Sequence, residues 1–259
     1  MKSTCQTIRT TMKSLFPVIF IFACVLMLSG CSGTKALEKA LANPLSVTRL
    51  KISGAGLKIL PHEIGKMKNL KTLEIFNTRV VVLPDEIGQL VNLENLVLSS
   101  NQLTELPASI GNLTKLKKLS LKYNHLEYLP NEIGYLASLK ELYLDYNQLQ
   151  RLPPSIGKLK NLEFLYLGNN QLDKIPPEIG NLRSIRFLSI GKNSLTMLPD
   201  EIGNLTGMVE LNISHSGPML ELPGTISNCK RLEFLYIDSS TVLPYSLNTV
   251  NARLNVVVR

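Results

Sequence analysis

The sequence predicts an α/β solenoid, with one parallel β-sheet on the concave side and short helical or 3-10 segments on the convex side. Three observations lead there. A 23-residue pattern recurs along most of the 259 residues; each copy holds a Leu-x-Leu alternation followed by Asn; and each then runs into Leu-Pro-x-x-Ile-Gly. Composition agrees, because 48 Leu and 21 Asn are both in excess, as a periodic chain requires. With 44% apolar and only 19% charged residues, the chain has material for a core and is not a disordered polyelectrolyte.

The N-terminus reads as an address. Residues 1–13 carry Lys2, Arg9 and Lys13 and no acid; residues 15–28 are apolar except for Pro17 and Cys24; Ser29-Gly30-Cys31 follows. A basic start, an apolar run and small residues at its exit make residues 1–30 a secretory signal peptide. The run is short for a membrane span, which needs about 20 apolar residues. Met12 is an equally good start codon position. The stretch Leu28-Ser29-Gly30-Cys31 resembles the bacterial lipobox. That resemblance implies lipidation of Cys31, with palmitate among its chains, as the first residue of a mature membrane-anchored lipoprotein. Ser32 at the next position, rather than Asp, implies an outer-membrane destination. Removal of residues 1–30 leaves 25 bases against 20 acids, a net charge of +5, and only Cys31 and Cys229, so no internal disulfide is expected.

Residues 31–46 are expected to hold the lipid anchor, a linker and an N-terminal cap. Thr34-Lys35-Ala36-Leu37-Glu38-Lys39-Ala40-Leu41 has helical spacing and stops at Asn43-Pro44. Eight repeats then fill residues 47–231, beginning at Val47, Leu70, Leu93, Leu116, Leu139, Leu162, Ile185 and Met208. A ninth, degenerate one begins at Leu232, 24 residues on, because Ser216-Gly217-Pro218-Met219 carries one extra residue. Residues 232–259 complete that repeat and a C-terminal cap, with Val256-Val257-Val258 as a last strand.

The shared pattern, LxxLxLxxNxLxxLPxxIGxLxx, is the leucine-rich repeat pattern. It resembles the 23-residue class of bacterial proteins and plant Ras-group relatives, and implies a right-handed superhelix. Each part also has a physical reason. Alternation sends two Leu inward on a short strand while their neighbours face out. Stacking the units joins the strands into one sheet over a continuous core. The ninth-position ladder, Asn101, Asn124, Asn147, Asn170 and Asn193, is expected to satisfy backbone groups of its own loop and of the next unit. Pro starts a helical turn, where its missing N–H is harmless. Gly after Ile suits a positive φ. The outer units hold Ala55, Thr78, Ser216 and Ser240 at the Asn position, so the ladder weakens there.

Positions three, five, seven and eight of each unit face the concave side, and 9 of the 12 aromatic residues after position 30 fall on them. The candidate binding face is Tyr123, Glu141, Tyr143, Asp145, Tyr146, Phe164, Tyr166, Phe187, Phe234 and Tyr236, with Phe76 further out. Glu141, Asp145, Asn169 and Lys192 are expected to form a polar rim. Exposed amphipathic rings are typical of protein-binding hot spots, although Tyr at position five also belongs to the common repeat pattern and to β-propensity. Nine strands give a sheet on the order of 40 Å across, the size of a protein partner. The expected function is a membrane-anchored, protein-binding scaffold. The alternative is a structural envelope protein, or a surface adhesin for host protein or glycan.

The charges follow the repeat. Acids precede Ile (Glu63, Glu86, Glu132, Glu178, Glu201), and bases such as Lys66, Lys68, Lys115, Lys158, Lys160 and Arg183 follow Ile-Gly. Acid near a helical start and base near its end suits the local dipoles. The bases also line one edge, where a phosphate-bearing surface is conceivable; nucleic acid is not an expected partner. Nothing reads as an enzyme. His62, His125 and His215 lie in three different units, and no metal, phosphate-loop or nucleophile motif occurs. Cys229 replaces a core Leu and reads as a small apolar residue. No metal or cofactor is expected, and the expected state is a monomer.

Overall fold

Side-chain alternation at period two gives each Leu-x-Leu segment one apolar face, and the neighbouring copies supply the surface that covers it. The computed structural model describes residues 32–54, 56–217, 219–249 and 253–259. Within them the strands are β1 (Arg49–Ser53), β2 (Thr72–Phe76), β3 (Asn95–Val97), β4 (Lys118–Ser120), β5 (Glu141–Tyr143), β6 (Phe164–Tyr166), β7 (Phe187–Ser189), β8 (Glu210–Asn212), β9 (Phe234–Ile237) and β10 (Asn255–Val258). They form one sheet in sequence order, every neighbouring pair parallel. The register is that of the repeat: Leu50, Leu73, Leu96, Leu119, Leu142, Leu165, Leu188, Leu211 and Leu235 line up and are all buried. The expected signal peptide, Cys31, Ala55 and Pro218 lie outside the described residues.

The convex side is made of 3-10 turns, among them His62–Lys66, Asn131–Tyr135, Pro177–Asn181 and Asp200–Asn204. Two details differ from expectation. The Pro of the repeat pattern sits one residue ahead of each turn in extended backbone, for example Pro130 at φ −66 and ψ 151. Its carbonyl accepts the first N–H of the turn, that of Ile133, at 3.1 Å. The glycine after Ile is needed for space rather than for a positive φ. A Cβ on Gly180 would lie 2.4 Å from the carbonyl oxygen of Glu201 in the next turn, and one on Gly134 the same distance from that of Ser155. Successive turns therefore touch backbone to backbone at this position.

The left-handed backbone falls instead at the eighth position. Asn77, Ser100, Tyr123, Tyr146, Asn169, Lys192 and His215 have φ between 52 and 59, and Gly54 has φ 101. Left-handed geometry ends each of β1 to β8 and tips the next residue, at the ladder position, inward. Asn147 donates through Nδ2 to the carbonyls of Leu144 (2.9 Å) and Leu121 (3.0 Å), while its Oδ1 accepts the Leu126 N–H at 3.1 Å. Asn124, Asn170 and Asn193 repeat this arrangement, and Asn101 makes the same donations to Leu98 and Ile75. The ladder thus reaches back to the preceding unit, not on to the next. The amide must follow the strand end that aims it, and that end tilts toward carbonyls already laid down. At the margins the ladder survives in reduced form: the Thr78 hydroxyl donates to Asn101 Oδ1, and Ser216 Oγ donates to the Ile190 carbonyl at 3.0 Å.

The N-terminal cap is α1 (Ser32–Ala42), whose Leu37 and Ala40 are buried against the first unit. No helix among the described residues is long and apolar enough to cross a membrane.

Candidate functional site: the concave aromatic face

The pleat turns the first and third residues of each three-residue strand to the concave side, and the parallel register then places like positions side by side. Phe164 pairs in register with Phe187, and Tyr143 with Tyr166. The rings respond by stacking. Tyr143 and Tyr166 lie 5.0 Å apart between centroids with planes 4° apart, and Phe164 and Phe187 lie 5.0 Å apart at 8°. Tyr123 and Tyr146 form a third stack, 4.2 Å apart and 13° from parallel, at the strand ends where φ is positive. Left-handed backbone is unfavourable for bulky residues by about 1 kcal/mol or more, and each of these tyrosines recovers a backbone bond there: the Tyr123 N–H donates to Asp145 at 3.1 Å and the Tyr146 N–H to Gly168 at 2.9 Å.

Two lysines complete the central group: Lys118, one of the bases expected along the edge, and Lys122, which the sequence pattern did not single out. Lys118 Nζ lies 2.7 Å from Glu141 Oε2 and over the Tyr143 ring at 4.9 Å. Lys122 Nζ lies over Tyr143 at 4.7 Å and Tyr166 at 5.3 Å, and 3.2 Å from Asp145 Oδ2. Both occupy concave positions, three and seven of the unit that begins at Leu116. The position rule that picked the aromatics picks them too, had it been applied to cations. Cation and ring attract each other more strongly where water is excluded.

This setting shifts the acid–base groups. Burial, helped by the hydrogen bond that Tyr143 donates to Glu141 at 2.9 Å, pushes the Tyr143 phenol up to about 12. Burial and nearby carboxylates also raise Tyr166. Burial works against ionisation of Glu141, but hydrogen bonds from Lys118 and Tyr143 outweigh it and hold its carboxyl below the ordinary value.

The ten candidate residues do not form one patch. Glu141, Tyr143, Phe164, Tyr166 and Phe187 are contiguous over β5, β6 and β7, with Tyr123 and Tyr146 beside them. Phe234 and Tyr236 lie beyond β8, whose concave residues are Glu210 and Asn212. Arg259 covers the Tyr236 ring at 4.4 Å. Asp145 corrects the expected rim. It is only 9% exposed, and its Oδ1 accepts the Gly168 N–H at 3.2 Å. Position seven already bends inward toward the Asn turn, so a short side chain there is drawn into backbone bonding.

The histidines, the cysteine and the edge bases do not join this central group. His62, His125 and His215 are exposed in separate units. His62 lies in a 3-10 turn. Cys229 is buried, and burial pushes its thiol up to about 11. No group of three or more His, Cys, Asp and Glu side chains among the described residues is placed to hold a metal ion. The edge bases bind adjacent units: Lys117 lies 2.7 Å from Glu94 and Lys140 2.9 Å from Glu163, while Lys115 donates to Asn92 and Lys68 to Gln89.

The architecture is shared with known proteins. A family model described as a leucine-rich repeat region matches residues 3–124 and 110–190. Among solved structures, a leucine-rich repeat protein of Leptospira interrogans is 36% identical with a TM-score of 0.74, over 86% of this chain and 57% of that one. The plant peptide hormone receptor RGFR1, solved in complex with RGF2, is 31% identical with a TM-score of 0.71, over 82% of this chain and 36% of that one. The ectodomain of the Arabidopsis thaliana receptor kinase GASSHO1/SCHENGEN3, solved with Casparian strip integrity factor 2, is 31% identical with a TM-score of 0.55, over 76% and 26%. The chain therefore spans little more than half of the longest-matched of these three and far less of the other two. No protein of curated function matches the sequence. Repeat pattern, ladder, sheet and family model coincide, and the chain belongs to the leucine-rich repeat proteins.

Proposed function

We propose that the chain is a non-enzymatic scaffold that binds a protein or peptide on its concave face and is held in the bacterial cell envelope by a lipid on Cys31. The observation that carries the binding reading is the group of stacked rings on β5, β6 and β7, with Lys118 and Lys122 over the tyrosines. Aromatic side chains fixed by neighbours lose little entropy on binding, which is why such residues dominate interface energetics. Two of the similar structures are receptors solved in complex with RGF2 and with Casparian strip integrity factor 2, which fits a protein or peptide ligand here. The test is a crosslinking pull-down with Tyr143→Ala, Tyr166→Ala and Phe187→Ala combined. Loss of the partner recovered by the parent protein, with the urea unfolding curve retained, is the expected outcome; undiminished recovery overturns the reading.

The anchoring rests on the Leu28-Ser29-Gly30-Cys31 motif after a basic and apolar leader. Ser32 directs the proposal to the outer membrane. Radiolabelled palmitate is expected to enter the parent and not Cys31→Ala, and the variant is expected to leave the membrane fraction. A Cys31→Ala protein still sedimenting with membranes overturns lipid anchoring.

A further inference from the structure

Five carboxylates occupy positions three, five or seven on the concave face, and four have a cation or a backbone N–H partner within the protein. Arg49 lies 2.6 Å from Glu74, Lys118 2.7 Å from Glu141, and Lys122 3.2 Å from Asp145. Asp238 accepts the His215 backbone N–H at 2.8 and 2.7 Å. The fifth, Glu210 on β8, has neither a hydrogen-bond donor nor a cation at ion-pair distance among the described residues. Its register neighbours are Phe187 on β7 and Phe234 on β9, one strand spacing of about 4.8 Å away on either side. Ring-bearing positions thus stand on both sides of the carboxylate. Burial accordingly raises its pKa, and Arg259 opposes this only from a distance, its guanidinium lying over Tyr236.

We propose that Glu210, with Phe187 and Phe234 beside it, seats an arginine or lysine side chain of the protein or peptide held on the concave face. This rests on the protein-binding reading of that face. Charge complementarity selects the occupant. A docked apolar group would leave the carboxylate desolvated and unpaired, which is strongly unfavourable. A cation forms a charge-assisted hydrogen bond with it and is attracted by the flanking rings as well. Space exists for such a chain, because the neighbouring concave positions hold Ser189, Gly191 and Asn212. On the other half of the face Glu74, Glu141 and Asp145 already hold Arg49, Lys118 and Lys122, so a ligand's basic group finds its open carboxylate at β8.

The test is selection of a phage-displayed random dodecapeptide library on three purified full-length proteins: the parent, Glu210→Gln, and the combined Tyr143→Ala, Tyr166→Ala, Phe187→Ala variant. Urea unfolding checks that each is folded. The expected result is enrichment of Arg or Lys at one position on the parent, with synthetic copies of those peptides binding Glu210→Gln about tenfold more weakly. Arg259→Ala is expected to strengthen the same peptides by removing the competing charge. Peptides that need the three aromatics but show no basic preference, or bind Glu210→Gln equally well, overturn the cation seat and leave the concave-face reading standing. No enrichment on the parent beyond that on the triple variant overturns both.

Discussion

At the N-terminal end of the solenoid a helix, α1, lies across the first unit and buries Leu37, whereas at the C-terminal end a 3-10 turn, Tyr245–Thr249, which buries Leu247, and a strand, β10, close the core. Its Val256 and Val258, which stand in register with the buried Leu235 and Ile237, remain 40% and 58% exposed. Between these ends each unit has a neighbour on both sides. The difference teaches what a cap must do. A strand satisfies the backbone of the last repeat, but its own inward side chains then need a lid. An amphipathic helix supplies a second apolar layer and presents its polar side to water. Stability should therefore be highest in the middle and lowest at β10, since each repeat draws its stability from its neighbours.

The largest effect that tests this contrast is in the core. Leu142→Ala in the middle is expected to lower stability by about 3–5 kcal/mol, because the cavity is walled on both sides. Val258→Ala is expected to lower it by less than about 1 kcal/mol. Urea unfolding measures both, and equal losses would break the contrast.

Next in size is the ladder. Asn147→Ala removes a side chain bonded to Leu144, Leu121 and Leu126 and orphans buried backbone groups, a loss of about 3 kcal/mol. Ser216→Ala, with one such bond, is expected to lose about 1 kcal/mol. Hydrogen exchange sharpens the picture. The Leu126 N–H should lose protection in the first variant, while amides of β1 keep theirs.

The smallest effect concerns the central tyrosine. Folding raises the Tyr143 phenol from 10.0 to about 12, chiefly by burial and then by its bond to Glu141. The folded state thus holds its proton where the unfolded state releases it. The contribution to stability is complete below about pH 10 and is lost as pH rises toward 12. Alkaline titration of phenolate absorbance should reveal late-titrating tyrosines, among which Tyr143 moves part of the way back in Glu141→Gln. A titration unaltered by that substitution would show that the hydrogen bond adds nothing to burial.

These contrasts also mark how far the chain could be read in advance. The period of 23, the strand positions, the helical segment before Asn43 and the closing valine strand all follow from apolar spacing, since each repeat must hide the same Leu and Ile. The concave positions of Tyr143, Tyr166, Phe164 and Phe187 follow as well, because pleat and register are periodic. Lys122 was legible by the same rule. Its place over two rings was not, because a long flexible side chain takes its direction from neighbours one and two repeats away.

The sequence by itself determined the solenoid, its length in repeats, and which residues face inward or out, because one pattern repeated in phase admits one way of burying its leucines. Only the tertiary structure decided three other things. The glycine after Ile is a point of backbone contact between turns, the left-handed residue is the eighth of each unit, and Asn bonds backward. It also decided that Asp145 is spent on the Gly168 backbone while Glu210, between two phenylalanines, is unpaired among the described residues. The physical reason is common to all of these: they are relations between successive repeats, fixed by distances of closest approach across the stack, and no single repeat contains them.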